Sequence, residues 1–180
     1  MGALNAGGFN EIAFVTDAAE GLIAVNVDTF ADGEFRNNFL SRAFTFNPGG
    51  VLSGARHITL AGDYAYVVTD KALVTVHLTK PWSAAAPCEV EAPHKGRAVE
   101  TCLEPKVTSV TPLDDGRASA MQSRYLWVTD RTGLRLFDVT ALGNPVAGAV
   151  VTFTVASGGG SVVGGRQVTD ATGTAEVGGW

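Results

Sequence analysis

The chain has 180 residues, of which 46% are hydrophobic and 17% are charged, and its formal net charge is −5. That is enough apolar material for a buried core, and it excludes an intrinsically disordered chain. The acidic balance, without any basic stripe, argues against nucleic acid and anionic membrane surfaces as partners.

One short segment occurs three times along the chain, as Phe14–Asp17 (FVTD), Val67–Asp70 (VVTD) and Trp127–Asp130 (WVTD). Each copy is followed by a second apolar strand. The three aspartates lie 53 and 60 residues apart, close to the ~40–50 residues of one four-stranded propeller blade. The sequence therefore predicts an all-β repeat protein.

Alternating apolar and polar residues, bounded by turn formers, divide the chain into three units of strands. In chain order the predicted strands are 11–16, 22–27 and 39–46; 56–60, 64–69, 72–78 and 106–111; and 118–122, 125–129 and 134–139. A poorly patterned stretch near residues 1–8 would supply the first strand of unit one. Residues 82–104 are predicted as an insertion in unit two, and unit three lacks its fourth strand where one is expected.

The third unit carries the clearest pattern, Leu126–Asp130 (LWVTD), then Gly133 and Leu134, then a strand ending in Asp138 and Val139. This pattern resembles the repeats of LVIVD proteins over residues 9–142. The resemblance implies β-propeller blades, often found on secreted or surface-exposed bacterial proteins. It predicts a partial propeller of about three blades over residues 1–142. Unit two departs from the pattern, so no single residue is carried over as functional.

The segment over residues 143–180 has a different character. Its runs NPVAGA, VVTFTV and TDATGTA resemble the opening half of an invasin/intimin-type bacterial Ig-like domain, a type of domain that stacks into stalks. The later strands are absent, and a complete sandwich needs about seven strands. We therefore expect an incomplete Ig-like β-sandwich segment that frays or borrows a place on the third blade.

The ends of the chain favour a fragment of a longer protein. Residues 1–8 have neither the basic nor the apolar region of a secretory signal, and no run of ~18 apolar residues could span a membrane. The parent protein is expected to be extracytoplasmic or on the cell surface.

Cys88 and Cys102 are the only cysteines, and both lie in the predicted insertion. A disulfide between them would close a loop of about 15 residues and contribute about 3 kcal/mol in an oxidising compartment. Two free thiols, or a metal site with His94, are the alternatives. The spacing of these three residues matches no compact zinc motif.

The repeated aspartates Asp17, Asp70 and Asp130 are interpreted as turn residues, because Thr-Asp at a strand end caps a turn through side chain to backbone hydrogen bonds. A calcium or catalytic role is the alternative. His57 and His77 are expected to be strand histidines, although His57 could act as a general base.

The aromatic residues Phe14, Tyr66 and Trp127 occupy nearly equivalent strand positions. They are predicted to pack between adjacent blades, where large rings bury much apolar area.

The leading hypothesis is a non-enzymatic propeller module that binds a protein or a cell-surface ligand, or serves as a scaffold, with an Ig-like stalk. No catalytic residue, cofactor or metal ligand is predicted. Self-association through open blade faces, or else a continuation of the blades upstream of this sequence, is expected, because three blades do not close a ring. The alternatives are a metal-dependent propeller hydrolase or lyase, and an accessory protein of extracellular electron transfer.

Overall fold

The computed structural model describes residues 12–27, 39–80, 103–141, 144–155 and 157–179. These residues form an all-β structure of antiparallel sheets, and none of the sheets closes on itself. In this part of the chain no helix has the length and apolarity needed to cross a membrane. The predicted strand near residues 1–8 lies outside the described residues.

Sheet 1 has three strands in the order of the chain: β1 (Ile12–Asp17), β2 (Gly21–Asn26) and β3 (Ser41–Phe46). A short 3-10 turn, Pro48–Gly50, then leads into the second sheet.

Sheet 2 has four strands, also in chain order: β4 (Ala55–Ala61), β5 (Tyr64–Thr69), β6 (Ala72–Thr79) and β7 (Leu103–Pro112). Because β7 begins at Leu103, the last two residues of the predicted insertion belong to a strand. The rest of the insertion lies outside the described residues.

Sheet 3 begins with β8 (Ala118–Gln122), β9 (Tyr125–Thr129) and β10 (Leu134–Asp138). The outer edge of β10 then pairs with two short strands from the C-terminal segment, β11 (Asn144–Pro145) and β14 (Thr174–Ala175). The C-terminal segment thus pairs with the third sheet. Of the two expectations for this segment, fraying or pairing with the third repeat unit, the structure shows the second for β11 and β14. Its remaining strands, β12 (Val150–Thr152) and β13 (Arg166–Val168), form a separate hairpin.

Each sheet has two faces, because successive side chains along a strand point to opposite sides. We call the face that carries Phe14 in sheet 1, Tyr66 in sheet 2 or Trp127 in sheet 3 the front face of that sheet. The opposite face is the back face. Strand registers assign the other side chains to these faces, since directly paired residues lie on the same side of a sheet.

The front face of sheet 1 packs against the back face of sheet 2. Leu22, with the partly buried rings of Phe14 and Phe44, forms one apolar cluster with Val67 and Val74 of sheet 2. Leu22, Val67 and Val74 are fully buried. Burying one such side chain stabilises the fold by about 1.5–3 kcal/mol.

The front face of sheet 2 packs in the same way against the back face of sheet 3. Tyr66 and Val68 form a second cluster with Leu126, Val128 and Phe137 of sheet 3. The relation between sheets 1 and 2 is therefore repeated between sheets 2 and 3, front face to back face.

Candidate functional site

The turns after β1 and β9 are closed by an aspartate. Asp17 Oδ1 accepts hydrogen bonds from the backbone N–H groups of Ala19 and Glu20, at 2.7 and 2.8 Å. Asp130 Oδ1 does the same for Thr132 and Gly133, at 2.9 and 3.2 Å. These short side chains satisfy turn N–H groups that strand pairing leaves open.

The turn after β5 is closed one residue earlier than the sequence register places it. Thr69 Oγ1 accepts from the N–H groups of Lys71 and Ala72, at 3.1 and 2.8 Å. The neighbouring Asp70 has a buried Oδ1 without a hydrogen-bond partner among the described residues. In the second repeat the residue equivalent to Asp17 and Asp130 is thus Thr69.

When the three repeats are aligned on their turn-closing residues, the three aromatic residues singled out in the sequence occupy the same position of the repeat. Phe14, Tyr66 and Trp127 each stand three residues before the residue that closes the turn. Tyr66 is buried, with 2% of its surface exposed, whereas Phe14 and Trp127 are half-buried. The shift by one residue in the second turn explains why the sequence repeats only nearly coincide.

The repeated turns are joined through the backbone at one end of the sheets. Gly54 N–H donates to the carbonyl of Ala18 at 2.7 Å, and Gly116 N–H donates to the carbonyl of Asp70 at 3.3 Å. Both acceptors directly follow a turn-closing residue. We call the surface formed by the turns at residues 17–20, 69–72 and 130–133 the turn face.

A cleft of about 570 Å³ lies beside the third of these turns. Its walls come from the end of β7 and the following residues, from Asp130 to Arg135, and from the C-terminal residues 170–176. The cleft therefore lies where sheet 2, sheet 3 and the C-terminal segment meet.

Arg135 is one of the residues that line this cleft, and it is almost fully buried. Its Nη1 donates to the carbonyl of Pro112 at 2.6 Å, and its Nη2 donates to the carbonyl of Thr172 at 3.3 Å. Its Nη1 also lies 3.7 Å from Asp130 Oδ2, and its guanidinium carbon lies 5.2 Å from the centre of the Phe137 ring. One side chain thus ties together three parts of the chain.

The rim of the cleft is rich in carboxylates. Asp114 forms an exposed ion pair with Arg131 at 2.7 Å, and Glu176 is exposed. The pKa of Asp170 is held below its ordinary value, chiefly by the hydrogen bond from the Thr172 hydroxyl and then by backbone N–H groups of Thr174 and Thr172. Asp114 and Asp130 thus have cationic partners within the chain, whereas Asp170 and Glu176 form no ion pair with the described residues. Among the described residues no group of three or more His, Cys, Asp or Glu side chains could hold a metal ion.

A second polar cluster joins the first strands of sheets 2 and 3. Ser119 N–H donates to His57 Nδ1 at 3.3 Å, and Ser119 Oγ lies 3.1 Å from the same nitrogen. Ser119 Oγ also lies 2.7 Å from Thr59 Oγ1.

His57 and Ser119 are residue types that serve as base and nucleophile in a catalytic triad, but the third residue type, a carboxylate, does not accompany them among the described residues. In the described part of the chain no carboxylate is bonded to the other ring nitrogen of His57, and such a group orients the base in a Ser-His-Asp triad. The hydrogen bonds of His57 instead link two sheets. The ring of His77, the other described histidine, lies edge-on to the ring of Tyr64, with the two ring centres 4.9 Å apart.

The predicted disulfide pair Cys88 and Cys102, and the alternative metal ligand His94, lie outside the described residues. Their pairing stays a prediction. Asp17 and Asp130 accept hydrogen bonds from backbone N–H groups of their own turns, as predicted for turn residues, whereas Thr69 takes this place in the second turn instead of Asp70.

Comparisons of the chain with protein-family models, with curated proteins and with solved structures found no match.

Two residues of this region escaped the sequence analysis, namely Arg135 and Thr69. Arg135 follows Leu134 in a strand whose apolar residues alternate, so pairing β10 with β9 would have placed it on the same face as Phe137. A charged residue on a core-facing position is the signal that could have found it. For Thr69 the signal was weaker, because threonine and aspartate both close turns.

Proposed function

We propose that this chain is a non-enzymatic binding or scaffold module, built from propeller-type repeats, in a secreted or cell-surface bacterial protein. The observation that carries the proposal is the repeated packing of a front face on a back face, with the aromatic residue at the same position of each repeat. Propeller blades are related to one another in this way, since each blade packs on the next around a common axis.

The backbone bonds at the turn face support the same relation. The residue after the turn-closing residue accepts a hydrogen bond from a linker glycine at both junctions, Gly54 at the first and Gly116 at the second. A relation that recurs in both packing and hydrogen bonding is expected when successive sheets follow one rotation. We infer three blades of such an arrangement, formed by sheets 1, 2 and 3.

The C-terminal segment supports a stalk attached to the blades. β12 and β13 pair as an antiparallel hairpin of their own, whereas β11 and β14 pair with the third sheet. We propose that this hairpin is the opening part of an Ig-like domain and that the pairing with β10 connects it to the blades.

A binding role fits the distribution of polar groups better than catalysis does. The polar side chains of the interior make contacts between sheets: His57 of sheet 2 lies within hydrogen-bond distance of Ser119 in sheet 3, and Arg135 of sheet 3 donates to the carbonyl of Pro112 in sheet 2. The turn face and its acidic cleft are left as the surface for a partner. Asp170 and Glu176, which form no ion pair with the described residues, favour a partner that presents basic side chains.

The experiment that tests the location is limited proteolysis of intact cells of the bacterium that makes the parent protein. Peptides from residues 12–80 and 103–179 are expected in the medium before the cells are lysed, while a cytoplasmic marker stays inside. Recovery of these peptides only after lysis would contradict the proposal.

The same sample reports the state of the cysteines. Alkylation before reduction, followed by mass spectrometry, is expected to leave Cys88 and Cys102 unlabelled if they pair after export. Free thiols in protein recovered from the cell surface would count against an oxidising location.

A further inference from the structure

The link between sheets 2 and 3 contains a chemically reactive pair of residues, Asp115 and Gly116. An aspartate cyclises onto the main chain most readily when glycine follows it, because glycine has no side chain to hinder its own backbone nitrogen. Asp32 and Gly33 are the other such pair in the sequence. The surroundings of Asp115 therefore decide whether this reaction is held back in the folded chain.

The packing of sheet 2 requires glycine at position 116. A Cβ there would lie 2.3 Å from the carbonyl oxygen of Thr69 and 2.8 Å from Cδ1 of Leu113. Both separations are far inside van der Waals contact, so any other residue would force the backbone to move. The fold thus keeps an unhindered backbone nitrogen next to Asp115.

The carboxylate of Asp115 is held by arginines on both of its oxygens. Arg56 Nη1 donates to Oδ1 at 2.5 Å and to the carbonyl of Gly116 at 3.1 Å. Arg117 Nη2 lies 3.4 Å from Oδ2. The pKa of Asp115 is lowered, chiefly by the hydrogen bond from Arg56. The arginines therefore keep this carboxylate ionised and in place.

A β-bulge gives Arg56 its position. The pairing of β4 with β5 shifts by one residue between Ala55 and His57, so Arg56 is an extra residue of β4 without a directly paired residue on β5. β8, the first strand of sheet 3, pairs with β9 without such a shift. Bulges re-aim a side chain relative to the regular alternation of a strand. Here the bulged residue brings a guanidinium to the link between the two sheets.

We propose that Asp115 is a site of backbone isomerisation to isoaspartate, and that Arg56 restrains this reaction in the folded chain. In the first step the backbone nitrogen of Gly116 forms a bond to Cγ of Asp115. The nitrogen loses its proton, and the protonated carboxyl group loses one oxygen as water, which leaves a five-membered succinimide. Water then opens the ring at the main-chain carbonyl carbon, so that the chain continues through the former side-chain carboxyl group. No atom is oxidised or reduced.

The contacts on the page oppose the first of these steps. The carboxyl group loses water only when it is protonated, and Arg56 and Arg117 favour the ionised form. The attacking nitrogen must turn toward Cγ, but its N–H donates to the carbonyl of Asp70 at 3.3 Å. Arg56 also holds the carbonyl of Gly116, so this residue cannot rotate without losing contacts at both ends.

Isomerisation would loosen the junction between sheets 2 and 3. Isoaspartate adds one carbon to the main chain and takes one from the side chain, which displaces the backbone that follows. The hydrogen bond from Gly116 to Asp70 and the next one, from Arg117 N–H to the carbonyl of Thr129 at 2.9 Å, would both be lost. The reaction would thus act at the residues that lead into the first strand of sheet 3.

The proposal is tested by incubating the folded chain at physiological pH and temperature in water enriched in oxygen-18. Each passage through the succinimide adds one heavy oxygen, which mass spectrometry finds in the tryptic peptide 107–117, and fragmentation of the peptide separates Asp115 from Asp114. The same incubation in urea gives the rate in the unrestrained chain, with Asp32 as the internal reference. We expect labelling of Asp115 to be at least several-fold slower in the folded chain than in urea. Equal rates, or no labelling of Asp115 in urea, would overturn the proposal.

Variants test the part played by Arg56. Arg56→Met should raise the rate of labelling of Asp115 in the folded chain several-fold, and Arg56→Lys, which keeps the charge but not the contact with two oxygens, should give an intermediate rate. Arg124→Met is the matched control, because it removes an exposed arginine from an ion pair with Asp138 elsewhere in sheet 3, and it should leave the rate unchanged.

Urea unfolding of each variant separates a local restraint from a loss of overall stability. A local restraint by Arg56 makes the rate of labelling rise by more than the unfolded fraction does. A rise no larger than that of the unfolded fraction, or an equal rise in Arg124→Met, would overturn the role of Arg56.

Discussion

Asp130 and Arg135 form a buried ion pair, with Oδ2 and Nη1 3.7 Å apart and with 1% and 10% of their side-chain surfaces exposed. The carboxylate also closes the third repeat turn, and the guanidinium also binds the carbonyls of Pro112 and Thr172. The pair thus links the turn face to the end of sheet 2 and to the C-terminal segment.

Replacing Arg135 with Met should lower the free energy of unfolding by about 3–5 kcal/mol, because it leaves the buried Asp130 carboxylate without its cation. Urea unfolding followed by circular dichroism measures the loss. Arg131→Met is the control, since the pair of Arg131 with Asp114 is exposed and should be worth about 1 kcal/mol or less. Equal losses in the two variants would show that the pair of Arg135 is not buried in solution.

Tyr66→Ala should cost about 3–5 kcal/mol of stability, because it removes a buried ring between sheets 2 and 3. Trp127→Ala should cost less, since its ring is half-buried. Thermal or urea unfolding of both variants measures the difference. A larger loss for Trp127→Ala than for Tyr66→Ala would show that the Trp127 ring is the more deeply buried of the two in solution.

Thr69→Val should destabilise the chain by about 1–3 kcal/mol, because it keeps the shape of the side chain but leaves the buried N–H of Ala72 without its acceptor. Asp70→Ala should cost less, since Asp70 Oδ1 makes no hydrogen bond with the described residues. Urea unfolding of the two variants decides between them. If Asp70→Ala proved the more harmful, the aspartate would close the second turn in solution.

Gly54→Ala should be more harmful than Gly62→Ala, although both glycines have a positive φ, +78° and +55°. The strained backbone alone costs about 1–2 kcal/mol in each variant. A Cβ at position 54 would also lie 2.1 Å from Asp70 Oδ1, whereas a Cβ at position 62 meets open space. Adding Asp70→Ala to Gly54→Ala should recover the part of the loss that comes from this clash. Urea unfolding of the unmodified chain, Gly54→Ala, Asp70→Ala and the double variant measures this part, and Gly62→Ala is the control.

Acid should weaken the attachment of the C-terminal residues through Asp170. Its pKa in the folded chain lies below the ordinary value of 3.8, so its contribution to stability is complete above that value and is lost as the pH falls through the lowered pKa. Asp170→Asn should therefore show a smaller loss of stability on acidification than the unmodified chain.

A second variant tests the cause of this pKa shift. Thr172→Val removes the hydroxyl that is the largest contributor, so the pKa of Asp170 should rise toward its ordinary value. Titration of the Asp170 side chain by nuclear magnetic resonance measures this directly. An unchanged pKa would place the stabilising hydrogen bond elsewhere.

The strands could largely be predicted from the sequence, because apolar alternation and turn residues are local signals. β5, β8 and β9 begin and end at the predicted residues. β10 ends one residue early, since Val139 begins a single 3-10 turn. The all-β class follows from the same signals.

The relation between sheets could not be predicted in the same way. The register of the second turn depends on whether Thr69 or Asp70 closes it, and adjacent residues that can both close a turn give no local answer. The burial of Arg135 depends on contacts from Pro112 and Thr172, which lie 23 and 37 residues away along the chain. Such contacts are fixed by the packing of sheets, not by the pattern of one strand.

The two short strands on the outer edge of β10 also have a protective effect. An unpaired strand edge offers a row of free N–H and C=O groups to any other chain and so promotes amyloid-like aggregation. Here β11 pairs with Phe137 and Asp138, and β14 pairs with Leu134 and Arg135. Four residues from the C-terminal segment thus occupy an edge that would otherwise be a template for strand addition.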